Sequence, residues 1–334
     1  MDRTFLFLFY QHSAKMEHGA SGGNAAVFVC CCILLIGVFL GAQTHNAGSE
    51  RRLSDSADSS YQAMFAVDRS FGNFVDAVSL STNGSGEIFV VDAGANKLYQ
   101  SEENGDQLKF IGGQGWGDLE FDHPTDVCAS FPLDIYVADY NNRRVQRFDH
   151  KLNFIQSFTE ENLPPSYGGG FYPRACTISS QGELFVVESE GKRIIKFDQN
   201  QNFQKEFGSY SAGAGALKDP RDIVISSGDT VFVLDEHRVV QYDTFGNYLG
   251  SFLLIESENP SAISCYSDGI LVSFPSSIEA FSFTGAPLFR LMRDHIVGFP
   301  PGGEIHDALT LSSKLFILTN HTIIVGKTIV STHQ

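Results

Sequence analysis

Tyr136-Val137-Ala138-Asp139, then Arg144 to Phe148, then Asn153 to Phe158, is the stretch that decides the fold. Three short runs of β-branched and aromatic residues are separated by Asn141-Asn142 and by Asp149-His150-Lys151. They read as antiparallel strands joined by tight turns. A fourth run, Pro124 to Ala129, precedes them. The unit recurs. Phe89-Val90-Val91-Asp92, Phe185-Val186-Val187-Glu188 and Phe232-Val233-Leu234-Asp235 repeat the run that ends in an acid. Leu271 to Pro275 and Phe316 to Thr319 are weaker copies. Anchored at 92, 139, 188, 235, 275 and 319, the copies lie 47, 49, 47, 40 and 44 residues apart. A strand-rich period of about 40–50 residues is that of propeller blades. The expected fold is all-β: a six-bladed β-propeller of four-stranded antiparallel blades over residues 61–334.

The segment 61–67 has the look of a fourth strand but sits ahead of blade 1. Paired with the last blade, it closes the ring and removes an open sheet edge. Thr328-Ile329-Val330 is the rival for that place.

Residues 25–42 carry no charge and are followed by the polar stretch 43–60. Residues 1–42 read either as a signal peptide cleaved after Ala42 or as an uncleaved signal anchor. Met16 offers an alternative start. Residues 43–60 read as a disordered, flexible linker. The propeller is therefore expected to be exported: periplasmic, extracellular, or anchored with the repeats outside the cytoplasm. The membrane is met only through the N-terminal helix, if that helix is uncleaved.

The net charge is −16, with 39 acidic against 23 basic side chains. Nucleic-acid binding leaves a basic stripe. None is present, and nucleic acid is not an expected partner. Cys128, Cys176 and Cys265 each follow a blade's first Pro by three to five residues. They read as buried free thiols.

The repeats resemble the NHL repeat, the blade of a six-bladed propeller family. Blade 2 carries the resemblance most fully. Gly112-Gly113-Gln114-Gly115-Trp116-Gly117, with Phe121 and Pro124, looks like the family's Gly-rich lead-in loop. Tyr136 to Asp139, with Asn142, Arg144 and Val145, looks like its core signature. Blades 5 and 6 depart from it, with Pro275 and Thr319 in place of the acid. The fold implied hosts many functions.

Fourth-to-first connections and second-to-third turns share one face of such a propeller. The longest loops, 159–172, 208–219 and 293–304, fall there, so ligand binding is expected at that channel mouth. Asp76, Asp126, Asp222 and Asp307 stand at the start of first strands, and Arg174 lies near the same level. Converging carboxylates suit calcium or a basic ligand; an acid there also caps the turn. Trp116 and Tyr172 are candidate ligand-contacting aromatics on the same face. The acid–base pairs Asp92–Lys97, Asp139–Arg144, Glu188–Arg193 and Asp235–Arg238 read as structural turn pairs. Similar propellers include zinc-dependent amidating lyases that need three channel His. His123 fits, His306 is a second, and no third is present. No GxSxG, HExxH or P-loop occurs. The expectation is a module that binds a protein or small molecule at the mouth. The alternative is a metal-dependent, calcium-using lyase or lactonase at the same acids.

Overall fold

A blade inside a ring is covered on both faces, so its middle strands need apolar side chains on both sides. The repeated runs meet that demand. Ile88–Asp92, Asp134–Asp139, Leu184–Glu188 and Gly269–Phe274 are buried at every residue. The outer strand Phe203–Phe207 instead exposes Gln204, Lys205 and Glu206.

The computed structural model describes residues 63–131, 134–167, 170–200 and 202–330. The expected signal or anchor segment and the linker lie outside them. Among the described residues no helix is long and apolar enough to cross a membrane. The strands form six sheets. Blade 1 is Ala77–Thr82, Ile88–Asp92, Lys97–Ser101 and Lys109–Gly112. Blade 2 is Pro124–Phe131, Asp134–Asp139, Arg144–Asp149 and Phe154–Phe158. Blade 3 is Pro173–Ile178, Leu184–Glu188, Arg193–Phe197 and Phe203–Phe207. Blade 4 is Pro220–Ile225, Thr230–Asp235, Arg238–Asp243 and Tyr248–Leu253. Blade 5 is Ala262–Tyr266, Gly269–Phe274, Ser277–Ser282 and Pro287–Met292. Each is an antiparallel meander.

Blade 6 joins both ends of the chain. Ile305–Leu311, Lys314–Thr319 and Ile323–Val330 supply three strands, and Ala63–Phe71 supplies the fourth. Phe65 faces Thr328 and Phe71 faces Ile323 in an antiparallel register. Thr328–Val330 thus extends the third strand rather than providing the last. A Cβ on Gly326 would collide with the Ala66 carbonyl across this seam, so the closure requires glycine there. Ile296–Val297 adds a short parallel strand outside Ala63–Phe71, which the repeat pattern does not anticipate.

Apolar clusters fill the wedges between blades. Tyr136, Phe158, Val186 and Phe197 meet between blades 2 and 3, joined by Leu163, Tyr167 and Phe171. Phe185, Phe207 and Tyr242 meet between blades 3 and 4, joined by Leu217. Ile296 and Phe299 pack into the wedge of blades 5 and 6. The long loops 159–172, 208–219 and 293–304 therefore serve the core. Each sends apolar side chains inward, where burial is worth roughly 1.5–3 kcal/mol per large side chain.

The repeated acid ties each lead-in loop to its blade. Asp92 accepts the N–H groups of Val75, Asp76 and Ala95. Asp139 accepts from Asp122 N–H, Asn142 and Arg144. Asp235 accepts from the N–H groups of Lys218 and Asp219 and from Arg238. The expected pairs form at Asp139–Arg144 (2.8 Å), Glu188–Arg193 (3.2 Å) and Asp235–Arg238 (2.7 Å). Lys97 instead lies over the Phe110 ring at 4.0 Å. These acids do more than pair across a turn, since Asp92, Asp139, Glu188 and Asp235 are fully buried. In blade 6 Thr319 takes over the capping, its hydroxyl accepting from His321 and Thr322 N–H.

Candidate functional site at the channel mouth

Successive strand residues normally point to opposite faces. A bulge breaks that alternation and re-aims side chains. Five blades carry one at the same place. Ala77, Pro124, Pro173, Pro220 and Ile305 face the anchor positions Asp92, Asp139, Glu188, Asp235 and Thr319, and the ladder then skips a residue. The skipped residues are Val78, Thr125, Arg174, Arg221 and His306, with Ser261 at the corresponding place in blade 5. The next residues are Ser79, Asp126, Ala175, Asp222, Ala262 and Asp307. Both rings line one cavity of about 450 Å3, flanked by His123, Tyr140 and Asn259.

The inner ring alternates. Blades 2, 4 and 6 contribute Asp126, Asp222 and Asp307; blades 1, 3 and 5 contribute Ser79, Ala175 and Ala262. Each acid reaches to the following blade. Asp126 accepts Cys176 N–H at 2.7 Å, Asp222 accepts Ile263 N–H at 2.7 Å, and Asp307 accepts Leu80 N–H at 2.8 Å. Their second oxygens are also used. Asp126 takes the Ser79 hydroxyl, while Asp222 and Asp307 take the N–H of the next residue in their own strands. The acids therefore bind one first strand to the next around the channel.

Burial pushes all three carboxyls up. Asp222 reaches about 8, first through desolvation and then through the charge of Asp126; the N–H bonds and Arg174 pull the other way. Asp222 keeps some accessible surface, but that surface faces the channel. Asp307 rises through burial first and the Asp222 charge second.

Beneath the ring lies a smaller compartment of about 170 Å3 that includes Cys128, Cys176 and Cys265. All three thiols are free; two are buried and Cys265 is half-buried. Burial raises each, Cys265 to about 12, so none offers a thiolate at neutral pH.

The structure brings Asp126, Asp222, Asp307, Arg174 and His123 to the cavity. Asp76, Trp116 and Tyr172 stand elsewhere. Asp76 directly precedes Ala77 and so lies level with His123; it is exposed, and Ser79 holds the place of Asp126 in blade 1. Trp116 is 76% exposed on the lead-in loop of blade 2, its carbonyl held by Arg144. Tyr172 sits under the Arg143 guanidinium at 4.6 Å and packs on Tyr140. Sequence reasoning missed Arg221 and Tyr140. Arg221 follows Pro220 as Arg174 follows Pro173, and that parallel was the available signal.

The acids do not fit calcium. Each carboxylate oxygen is already engaged by a protein donor, and the acids reach around the ring. Among the described residues no three His, Cys, Asp or Glu side chains converge on a metal-sized point.

No family model matches the chain. Protein brain tumor of Drosophila melanogaster is 31% identical over 137 residues, 40% of this chain and 12% of that protein. B-box type zinc finger protein ncl-1 of Caenorhabditis elegans is 30% identical over 136 residues, 40% of this chain and 15% of its own length. The matched stretch is thus a small part of both relatives. Among solved structures, a virginiamycin B lyase from Staphylococcus aureus aligns with TM-score 0.57 and 11% identity, over 77% of this chain and 98% of that one. A gluconolactonase from Xanthomonas campestris aligns with TM-score 0.56 and 11% identity, over 77% and 87%. A chain of a nidogen/laminin complex aligns with TM-score 0.52 and 12% identity, over 65% and 81%. At these identities the likeness establishes the six-bladed propeller fold and nothing finer.

Proposed function

We propose that the blades are NHL repeats and that the chain is an exported or membrane-anchored binding module, holding a protein or small-molecule partner at the channel mouth. The observation that carries this reading is the cavity built by two side-chain rings from all six blades. Its volume is in the range of ligand sites, about 300–1,000 Å3. The lead-in loop and core signature of blade 2 support the NHL assignment, and the uncharged stretch 25–42 supports export. The charge of −16 argues for a partner other than nucleic acid.

A plugged mouth tests it. Ser261→Trp fills the upper ring at the cost of one hydrogen bond, to the Ser273 carbonyl. Partner capture from the extracellular fraction by full-length chain is expected to be lost in this variant while its melting temperature holds. Capture by the plugged chain equal to wild type, or capture of RNA, overturns the reading. Fractionation tests export separately: recovery of the full-length chain in soluble cytoplasm overturns that part.

One observation favours the enzyme alternative. Asp222, with its carboxyl at about 8, has the protonation of a general acid at neutral pH. Against it, both Asp222 oxygens are bound by backbone N–H groups. Binding is the better supported reading.

A further inference from the structure

Arg174 stands apart from the other arginines. Acids outnumber bases by 39 to 23 in this chain, and most arginines find one. Arg144, Arg147, Arg193, Arg221, Arg238 and Arg290 form ion pairs at 2.7–3.2 Å. Arg69 donates to the Glu103 carbonyl, Arg143 stacks on Tyr172, and Arg293 donates to the Gly303 carbonyl. Among the described arginines, Arg174 alone has no side-chain hydrogen bond, ion pair or ring contact. It is half-buried at the cavity wall, and its charge acts on Asp222 of the next blade.

A guanidinium is a planar fork of donors that matches a carboxylate or phosphate. Arg221 stands at the same bulge position one blade on. Its Nε and Nη2 hold Asp219, while its Nη1 reaches only the Pro260 carbonyl, at 3.4 Å. Below both arginines lies the ring of Asp126, Asp222 and Asp307. All three floor carboxyls are raised by burial, so each resists ionising beside added negative charge. A dianion would press on this partly ionised floor harder than a single carboxylate does, so the single charge is the better match.

We propose that the mouth binds a single carboxylate, gripped by Arg174 with Arg221 beside it, the rest of the ligand lying against Tyr140 and His123. The inference rests on the mouth being the binding site. The same group can come from a free organic acid or from an Asp or Glu side chain of a peptide.

Titration calorimetry of the full-length chain with four probes tests it. Benzoate is a free acid, benzamide its neutral counterpart, phenyl phosphate a dianion, and N-acetyl-aspartate N-methylamide a peptide-borne carboxylate. At least one carboxylate is expected to bind at least about tenfold more tightly than benzamide and phenyl phosphate. The tighter of the two carboxylates assigns the source. Arg174→Gln is expected to weaken that binding by at least about tenfold while the chain still unfolds cooperatively, because the side chain makes no hydrogen bond or ion pair and touches the fold only through its charge on Asp222. Lys109→Gln, on the exposed outer strand of blade 1, is expected to leave it unchanged. Equal binding of benzamide, preference for phenyl phosphate, no binding of either carboxylate, or an Arg174→Gln affinity equal to wild type each overturns the inference. The two readings fail separately. If Ser261→Trp abolishes partner capture and Arg174→Gln does not, the mouth stands as the site and the carboxylate assignment falls.

Discussion

The Asp126 carboxylate of blade 2 accepts the Cys176 N–H of blade 3 at 2.7 Å, across the boundary between two repeats. Its other oxygen accepts the Ser79 hydroxyl of blade 1 at 2.7 Å, and Ser79 in turn accepts Val127 N–H at 3.2 Å. One side chain therefore joins three first strands. In blades 4 and 6 Asp222 and Asp307 each join two first strands, their own and that of the following blade.

Asp126→Ala removes the acceptor for a buried N–H and for a hydroxyl. Leaving a buried donor unsatisfied costs about 1–3 kcal/mol. Urea unfolding is expected to show a loss of this size, with an unchanged dependence on denaturant. A variant as stable as wild type would mean that the acid ring does not hold the first strands together.

The ring also sets a pH dependence. Asp222 is raised from its ordinary 3.8 to about 8 in the fold. Folded protein thus holds this proton more tightly than unfolded chain. Its contribution to stability is full below the ordinary value and is lost as pH rises through about 8. Asp149 and Asp198 run the other way. Hydrogen bonds from the Asn153 side chain and the Asn202 N–H hold them low, so their contribution is lost only as pH falls below the ordinary carboxylate range. Calorimetry at constant ionic strength is expected to show the melting temperature falling between about pH 5 and 8.5, with Asp222→Asn flattening the slope. The same slope in Asp222→Asn would contradict the assignment.

Arg144 holds the lead-in loop of blade 2. It donates to the carbonyls of Trp116, Gly117 and Glu120 while paired with buried Asp139. Arg144→Ala leaves that carboxylate without its cation, a loss of about 3–5 kcal/mol for a buried pair. Arg144→Lys is expected to recover only part of it, because an ammonium cannot reproduce the planar fork. Guanidinium chloride unfolding of the two variants checks the order. Full recovery by Lys would reduce the interaction to charge alone.

The blades were legible in the sequence because burial on both faces forces continuous apolar runs such as Phe185 to Val187, and their acid ends give a period. Closure was legible because 61–67 had no partner nearby in the chain. The mouth was legible only in part. Asp126 and Asp222 could be matched through their prolines, but Asp307 follows Ile305, and the bulge that sets its register leaves no mark in composition. The same bulge hid the level of Asp76, whose place in the ring belongs to Ser79. The long loops also have a packing role that their length did not reveal. Leu163, Tyr167, Phe171 and Leu217 are apolar loop residues that fill wedges, and length alone does not distinguish a wedge from a binding loop.

Site-specific photo-crosslinking is the most direct test of the mouth as the binding site. A benzophenone amino acid replaces Val78 in the upper ring, and in a second full-length chain it replaces Leu249, 55% exposed on the outer strand of blade 4. Both chains are irradiated with the extracellular fraction. Binding at the mouth predicts a crosslinked partner from position 78 that is absent from position 249. Crosslinking from 249 with none from 78 would contradict it.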